Sequence, residues 1–153
     1  MEGNEKSTQI QVLMTSIPLQ TATSEDTVET ISNKMKENQV GSVVVVNEKN
    51  HPLGIVTERD IVRRVISDGK DPKITKVDDI KTTSLITIDP ETSVYDAALI
   101  MTKYRIRRLP VVKDNTLYGI ITSDDLVKYL YEKNKKDPML TAMGRFKDIE
   151  KLD

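Results

Sequence analysis

The sequence lies over itself at offsets of 65 and 66 residues, and this internal duplication limits the fold before any motif is considered. At 65, Asn50 meets Asn115, Gly54 meets Gly119, Ile55 meets Ile120, Thr57 meets Thr122, Asp60 meets Asp125 and Val62 meets Val127. At 66, Thr21 meets Thr87, Glu25 meets Glu91, Val28 meets Val94, Met35 meets Met101, Val45 meets Val111 and Val46 meets Val112. The change of offset falls between Val46 and Asn50, in a polar loop, where a one-residue difference is tolerated.

Each half has the same predicted order of elements. A short β-prone piece lies around Thr21 and again around Ile86 to Ile88. A segment with apolar residues at helical spacing follows, clearest in Val94, Ala97, Ala98 and Met101, with Ser24 and Asp89-Pro90 as expected helix starts. Two β-branched runs separated by a turn come next, SVVVV and LGIVT in the first half, LPVVK and LYGIIT in the second. A second helix closes each half, with Ile61, Val62, Val65 and Ile66, or Leu126, Val127 and Leu130, expected on its buried face. The order β-α-β-β-α, twice, predicts an α/β fold of mixed sheets with helices packed on one face. One such unit alone leaves a large apolar face wet, and two units cover each other. Residues 1–8 are expected to be disordered, 9–68 to form the first repeat, 69–80 a polar connector, 81–132 the second repeat and 133–153 a polar tail.

Composition narrows the function. In 153 residues, 37% hydrophobic and 31% charged side chains with a net charge of −1 describe a folded chain with no global field for nucleic acid or anionic membrane. No apolar run approaches the roughly 20 residues of a membrane span, and MEGNEKSTQ lacks the apolar centre of a secretory signal, so a cytoplasmic location is expected. Without cysteine there is no disulfide, thiol nucleophile or thiolate metal site. The single histidine, His51, sits in the turn sequence NEKNHPLG and reads as solvated. No metal site is expected. High Lys and Glu content is compatible with a thermophilic source.

Thr57-Glu-Arg-Asp60 and Thr122-Ser-Asp-Asp125 sit at strand-to-helix turns. A threonine N-cap with an acidic residue three positions on is a capping-box start, contributing about 0.5–2 kcal/mol. A helix start also presents free backbone N–H groups that attract phosphate, and an aspartate one turn on can accept from two vicinal ribose hydroxyls. The two readings are compatible, because cap and ligand occupy the same place.

The tandem GIVTERDI and GIITSDDL, each preceded by a β-branched strand and a helix such as ETSVYDAALIM, resemble the cystathionine β-synthase (CBS) domain. The resemblance covers Val12 to Tyr131 and is similar to stand-alone proteins made of one CBS pair. It implies two repeats related by a pseudo-twofold axis, two clefts between them, a homodimer, and binding of an adenine nucleotide as a regulatory signal, with AMP first and ADP, ATP or S-adenosylmethionine as alternatives. Carried across, it implies a first cleft built from Ile55, Thr57, Arg59 and Asp60 against Lys81, Ser84, Ile86, Ile106, Arg107 and Arg108. The second cleft joins Thr122, Asp124 and Asp125 to Thr15, Pro18, Gln20, Val40, Gly41 and Ser42. Arg59, Lys81, Arg107 and Arg108 suit phosphate oxygens, and Ile55, Ile86 and Ile106 suit the adenine face. Arg105, in KYRIRR, reads as a helix end whose cation complements the dipole. Gly41-Ser42 stands where the first cleft has two arginines, and Asp124 would repel a phosphate, so the second cleft is expected to take a neutral adenosyl group, a weaker nucleotide or nothing. Asp124 reads equally well as a first-turn helix residue.

Other functions fit the sequence less well. Adjacent acids such as Asp78-Asp79 and Asp124-Asp125 diverge by about 100° on a helix and do not face one substrate atom. With no phosphate loop of Walker type, catalysis is not expected. The runs VRRV and YRIRRL suggest nucleic acid, but five tyrosines and one phenylalanine supply few stacking groups. A ligand-independent dimeric scaffold fits the duplication as well. The sequence names no protein partner.

Overall fold

The computed structural model describes residues 8–14 and 19–135. The first repeat runs β1 (Thr21–Ala22), α1 (Val28–Asn38), β2 (Ser42–Val46), β3 (Pro52–Thr57) and α2 (Glu58–Ile61), which continues as a wider π-turn over Val62–Ile66. A short α3 (Val77–Ile80) precedes the second repeat, which runs α4 (Val94–Tyr104), β4 (Arg108–Lys113), β5 (Thr116–Thr122) and α5 (Ser123–Lys135). The predicted β-α-β-β-α order is complete in the first repeat, whereas in the second the leading strand expected around Ile86 to Ile88 is reduced to a single bridge at Ile88.

The duplication holds at the level of individual hydrogen-bonded pairs. β1 pairs parallel with β2 through Thr21 with Val44 and Ala22 with Val45, and the equivalent of the latter is an isolated parallel bridge between Ile88 and Val111. β2 pairs antiparallel with β3, and β4 with β5. Both ladders shift register at the same point, between Val45 and Val46 and between Val111 and Val112. Gly41 and Arg107 occupy matching positions, and their carbonyls accept from the matching amides of Glu58 (3.2 Å) and Ser123 (2.9 Å). Repeated contacts of this kind relate the halves by a pseudo-twofold axis.

The helix starts lie three residues beyond the expected position in α1 and four in α4. Thr27 caps α1 by accepting from the Thr30 amide at 3.2 Å, and Ser93 caps α4 by accepting from the Asp96 amide at 3.0 Å. Ser24 and Asp89-Pro90 fall in the turns before them, where Asp26 and Asp89 carboxylates accept from the amides of Thr23 and Glu91. Both helices end the same way. Gln39 and Arg105 adopt left-handed backbone, each with φ 53°. The next amides, of Val40 and Ile106, reach back to the carbonyls of Met35 and Met101, both at 3.0 Å. This is the Schellman closure, with the following apolar residue packed on the core.

Each repeat is completed by the segment that precedes the other. Val77 and Ile80 of α3, at 0% exposure, join Val28, Ile31, Val43, Val56 and Val65 in the core of the first repeat. The Thr75 carbonyl accepts from Val28 N at 3.0 Å and the Asp26 carbonyl from Val77 N at 2.8 Å. Val77 and Ile80, in the stretch expected to be polar connector, are therefore core residues. In the other direction, Ile10, at 0% exposure, joins Val94, Ala97, Leu109 and Ile121 in the core of the second repeat. Its amide donates to the Thr92 carbonyl at 2.9 Å, and the Thr8 carbonyl accepts from Val94 N at 2.8 Å. Two matching side chains fasten these exchanged segments: Arg64 Nη1 donates to the Ile80 carbonyl at 2.6 Å, and Tyr129 Oη donates to Thr8 Oγ1 at 3.2 Å. Fully burying an Ile or Val contributes about 1.5–3 kcal/mol, which makes the exchange a main source of cohesion. Val44, Val46 and Leu117 form a third cluster with Leu19 and Ile120. Close by, Asn50 joins the repeats, its carbonyl accepting from Leu117 N and its amide donating to the Leu117 carbonyl.

The second helix of each repeat departs from its expected buried face. Val65 and Leu126 are buried, but Val62, Ile66, Val127 and Leu130 are exposed. The sheet fills the core through Val43, Val56 and Ile121, and each helix covers it with one buried residue and one half-buried one, Ile61 in the first repeat and Tyr129 in the second. Of the residues expected to be disordered, 1–7 lie outside the described residues while Thr8 is held by Val94 N and Tyr129 Oη, and of the 133–153 tail only Lys133 to Lys135 are described, as the end of α5.

Candidate functional site

Two cavities open where the repeats meet. Both Thr-x-x-Asp turns stand at their edges, in the capping geometry that the spacing predicts. Thr57 Oγ1 accepts from Asp60 N at 3.2 Å, and Asp60 Oδ2 accepts from Thr57 N and Thr57 Oγ1, both at 2.9 Å. Thr122 and Asp125 repeat this arrangement at 3.2, 2.8 and 2.8 Å. Each threonine hydroxyl thus donates to its own aspartate, and reaching a phosphate requires it to turn its proton outward. Asp60 Oδ1 is left facing Arg64 Nη2 at 3.8 Å, a loose ion pair that leaves it room to accept. Arg64 was not among the sequence-derived candidates. It enters the sequence analysis only within the run VRRV, and its counterpart in the second repeat is Tyr129.

The first cleft has a volume of about 610 Å³ and is lined by Ile55, Thr57, Arg59, Asp60, Ile106, Arg107 and Arg108, as expected, together with Gly41, Glu58, Thr82 and Arg105. Three expected members are elsewhere. Lys81 forms an ion pair with Asp78, and its aliphatic stem lies on Gly54, where an added β-carbon would meet Lys81 Cδ at 2.9 Å. That pairing holds the Asp78 carboxyl below its ordinary range, through the hydrogen bond from Lys81, then one from Ser24, then the Lys81 charge. Ser84 is exposed and off the cavity wall, and Ile86 packs on the core of the second repeat. Thr82 takes their place, because it pairs with Ile55 through reciprocal backbone bonds of 3.0 and 2.9 Å. A charged residue with a carboxylate three positions back turns toward it, and the spacing Asp78 to Lys81 carried that signal.

The second cleft, about 260 Å³, is lined by Gln20, Val40, Gly41, Ser42, Thr122, Asp124 and Asp125, as expected. Thr15 and Pro18 lie outside the described residues. Leu19, Gln39, Ile120 and Ser123 join this wall, and so do Arg107 and Arg108. The expectation that the second cleft lacks arginines is corrected here: the pair at the start of β4 borders both cavities. Gly41, also shared, is the reason, since an added β-carbon would sit 2.6 Å from Arg108 Nη2 and 3.1 Å from Glu58 Oε2. Gln39 and Arg105, the two left-handed helix ends, stand at matching places in the second and first cleft. Arg105, expected only as a helix end, is both that and a cleft residue.

Among the described residues, Arg59, Arg105, Arg107 and Arg108 form no ion pair, and no cluster of His, Asp and Glu is placed to hold a metal. Uncommitted guanidinium groups beside an apolar wall of Ile55 and Ile106 suit a planar, phosphorylated ligand. No described helix is long and apolar enough to cross a membrane. His51 is a turn residue, its amide donating to Asn47 Oδ1 at 3.0 Å.

Comparison with known proteins agrees with this architecture. The sequence matches the CBS domain family over residues 9–67 and 77–132. The CBS domain-containing protein CBSX3, mitochondrial, of Arabidopsis thaliana is 40% identical over 119 residues, covering 75% of this chain and 58% of its own length. An uncharacterized protein of Methanopyrus kandleri is 44% identical over 104 residues, covering 67% and 53%. The chain therefore spans little more than half the length of these curated relatives. Among solved structures, a putative signal-transduction protein with CBS domains from Burkholderia ambifaria superimposes with a TM-score of 0.74 at 32% identity, covering 80% of this chain and 93% of that one. The CBS domain pair of protein MJ0100, solved in complex with 5′-methylthioadenosine and S-adenosyl-L-methionine, superimposes with a TM-score of 0.74 at 27% identity, covering 82% and 98%. Two repeats of one architecture, each completed by the other's leading segment and facing each other across two clefts, are a tandem pair of CBS domains, and the chain belongs to that family.

Proposed function

We propose that the chain is a non-enzymatic regulatory module that binds an adenine nucleotide or adenosyl compound between its repeats, with AMP as the first ligand and ADP, ATP or S-adenosylmethionine as alternatives. The observation that carries this reading is the first cleft. It sets four arginines that form no ion pair among the described residues, and an acidic ribose acceptor, Asp60, around an apolar wall, in a volume of about 610 Å³. Small-molecule sites commonly occupy about 300–1,000 Å³. The adenosyl ligands of the structurally similar MJ0100 pair support the ligand class. In this reading Ile55 and Ile106 hold the base, Asp60 accepts from the ribose hydroxyls and Arg107 and Arg108 take the phosphate. The ligand touches both repeats, so its binding biases their relative packing by its difference in affinity for the two arrangements. A homodimer placed in the cytoplasm passes that change to a protein partner.

A ligand-independent scaffold is the second reading, favoured by two observations. The capping boxes account fully for both Thr-x-x-Asp turns, and Leu99, Val127 and Leu130 lie exposed on α4 and α5. Thermal shift with AMP, ADP, ATP and S-adenosylmethionine, repeated on Asp60→Ala and Asp125→Ala, separates the two. A sensor is stabilised by at least one ligand, and each variant loses one site. A scaffold shows no shift at about 1 mM ligand, a concentration that detects even weak sites.

A further inference from the structure

We propose that the two clefts share one pair of phosphate-binding arginines, so that the chain binds one phosphorylated adenine nucleotide strongly and a second only weakly, and admits an uncharged nucleoside to its second cleft. The inference rests on the adenine-binding reading and specifies the stoichiometry of that site. Arg107 and Arg108 border both cavities. They are held at the seam from two sides: the Arg107 carbonyl accepts from Ser123 N at the start of α5, and Arg108 Nη2 occupies the space that a side chain on Gly41 would fill. Because residue 41 is glycine, no side chain at that position walls one cavity off from the other.

The charge balance of each cleft depends on that pair. The first cleft sets Arg59, Arg105, Arg107 and Arg108 against Glu58 and Asp60. The second sets only Arg107 and Arg108 against Asp124 and Asp125. A phosphate in the first cleft draws on the shared guanidinium groups and on two more that the second cleft lacks, so it goes there first. The second cleft is then left with two carboxylates and no neutralising partner of its own. A second phosphate, carrying −1.5 to −2 charges near neutral pH, enters against that field and against the first phosphate. Both phosphates would lie against the same two guanidinium groups, and ordinary salt screens charge over about 10 Å. An uncharged nucleoside is indifferent to the exchange, since base and ribose use apolar walls and the separate carboxylates Asp60 and Asp125.

Isothermal titration calorimetry on the full chain at about 0.1 M salt, with AMP and with adenosine, tests this. AMP is expected to show one event per chain, followed by a second at least tenfold weaker, and AMP-saturated protein is expected to take up one equivalent of adenosine. Asp124→Asn, which removes a second-cleft charge outside the capping box, is expected to strengthen the second AMP event about tenfold, so that the two events converge. Two equal and independent AMP events in the unaltered protein, or a second event whose affinity Asp124→Asn leaves unchanged, overturn charge sharing while adenine binding stands. If neither AMP nor adenosine binds, the adenine reading fails and the inference falls with it.

Discussion

A β-carbon on Gly41 would lie 2.6 Å from Arg108 Nη2, which makes this glycine the place where the two repeats approach side chain to backbone across the seam between the clefts. The atom it would meet is the far end of a long, flexible side chain, and Glu58 Oε2 at 3.1 Å is the next nearest. Gly41→Ala is therefore expected to fold with a stability change within about 1 kcal/mol, because the guanidinium can swing aside. The displaced arginine should lower AMP affinity several-fold while leaving adenosine affinity nearly unchanged. Calorimetry with both ligands measures the split.

Ile10 is remote in sequence from the repeat whose core it completes. Burial at 0% among Val94, Leu109 and Ile121 predicts that Ile10→Ala lowers unfolding stability by about 2–5 kcal/mol, the range for a buried Ile truncation. Denaturant titration by far-ultraviolet circular dichroism gives the value. A change under about 0.5 kcal/mol, typical of a surface position, would place this segment outside the core.

Arg105 combines a left-handed helix end with a position on the first cleft, so backbone and side chain can be tested separately. Arg105→Gly removes the charge and relieves the φ of 53°, a conformation that glycine adopts without steric cost. Stability is expected to stay within about 1 kcal/mol of the parent or to rise. AMP affinity in the first cleft should fall with little effect on adenosine. Equal loss for both ligands would assign Arg105 to the base or ribose rather than to the phosphate.

The Asp78–Lys81 pair predicts a pH dependence confined to acid. A carboxyl whose folded-state pKa is depressed contributes stability above its unfolded value of 3.8, and that contribution disappears as pH falls through the lower folded-state value. The difference in Tm between the parent and Asp78→Ala should be constant from pH 5 to 8 and should shrink below about pH 4. A difference that changes between pH 6 and 8 would mean that another group controls the pair.

Repeat, element order and both caps were legible because each is written in local spacing. Thr57 and Asp60 lie one helical turn apart, and their hydrogen bonds follow from that separation alone. The β-branched runs at Val43 to Val46 and Val111 to Val112 likewise declare strands wherever they pack. Helix starts were displaced to Thr27 and Ser93 because several residues before each helix can cap, and only the downstream partners, Thr30 and Asp96, select among them.

Tertiary structure decided which segments complete which core and which charges face which cleft. Periodicity shows that Ile10, Val77 and Ile80 are apolar but does not name the sheet that covers them. That is settled by long-range burial, which places each leading segment on the opposite repeat. The same holds for charge: Lys81 was drawn to Asp78 by a neighbour on its own helical turn, whereas Arg107 and Arg108, with no carboxylate in ion-pair reach among the described residues, came to rest on the boundary left open by Gly41. Sequence by itself fixes what each residue can do over one turn or one strand, because those distances are set by the backbone. Its partner across the fold depends on the packing of the whole chain, which local spacing does not encode.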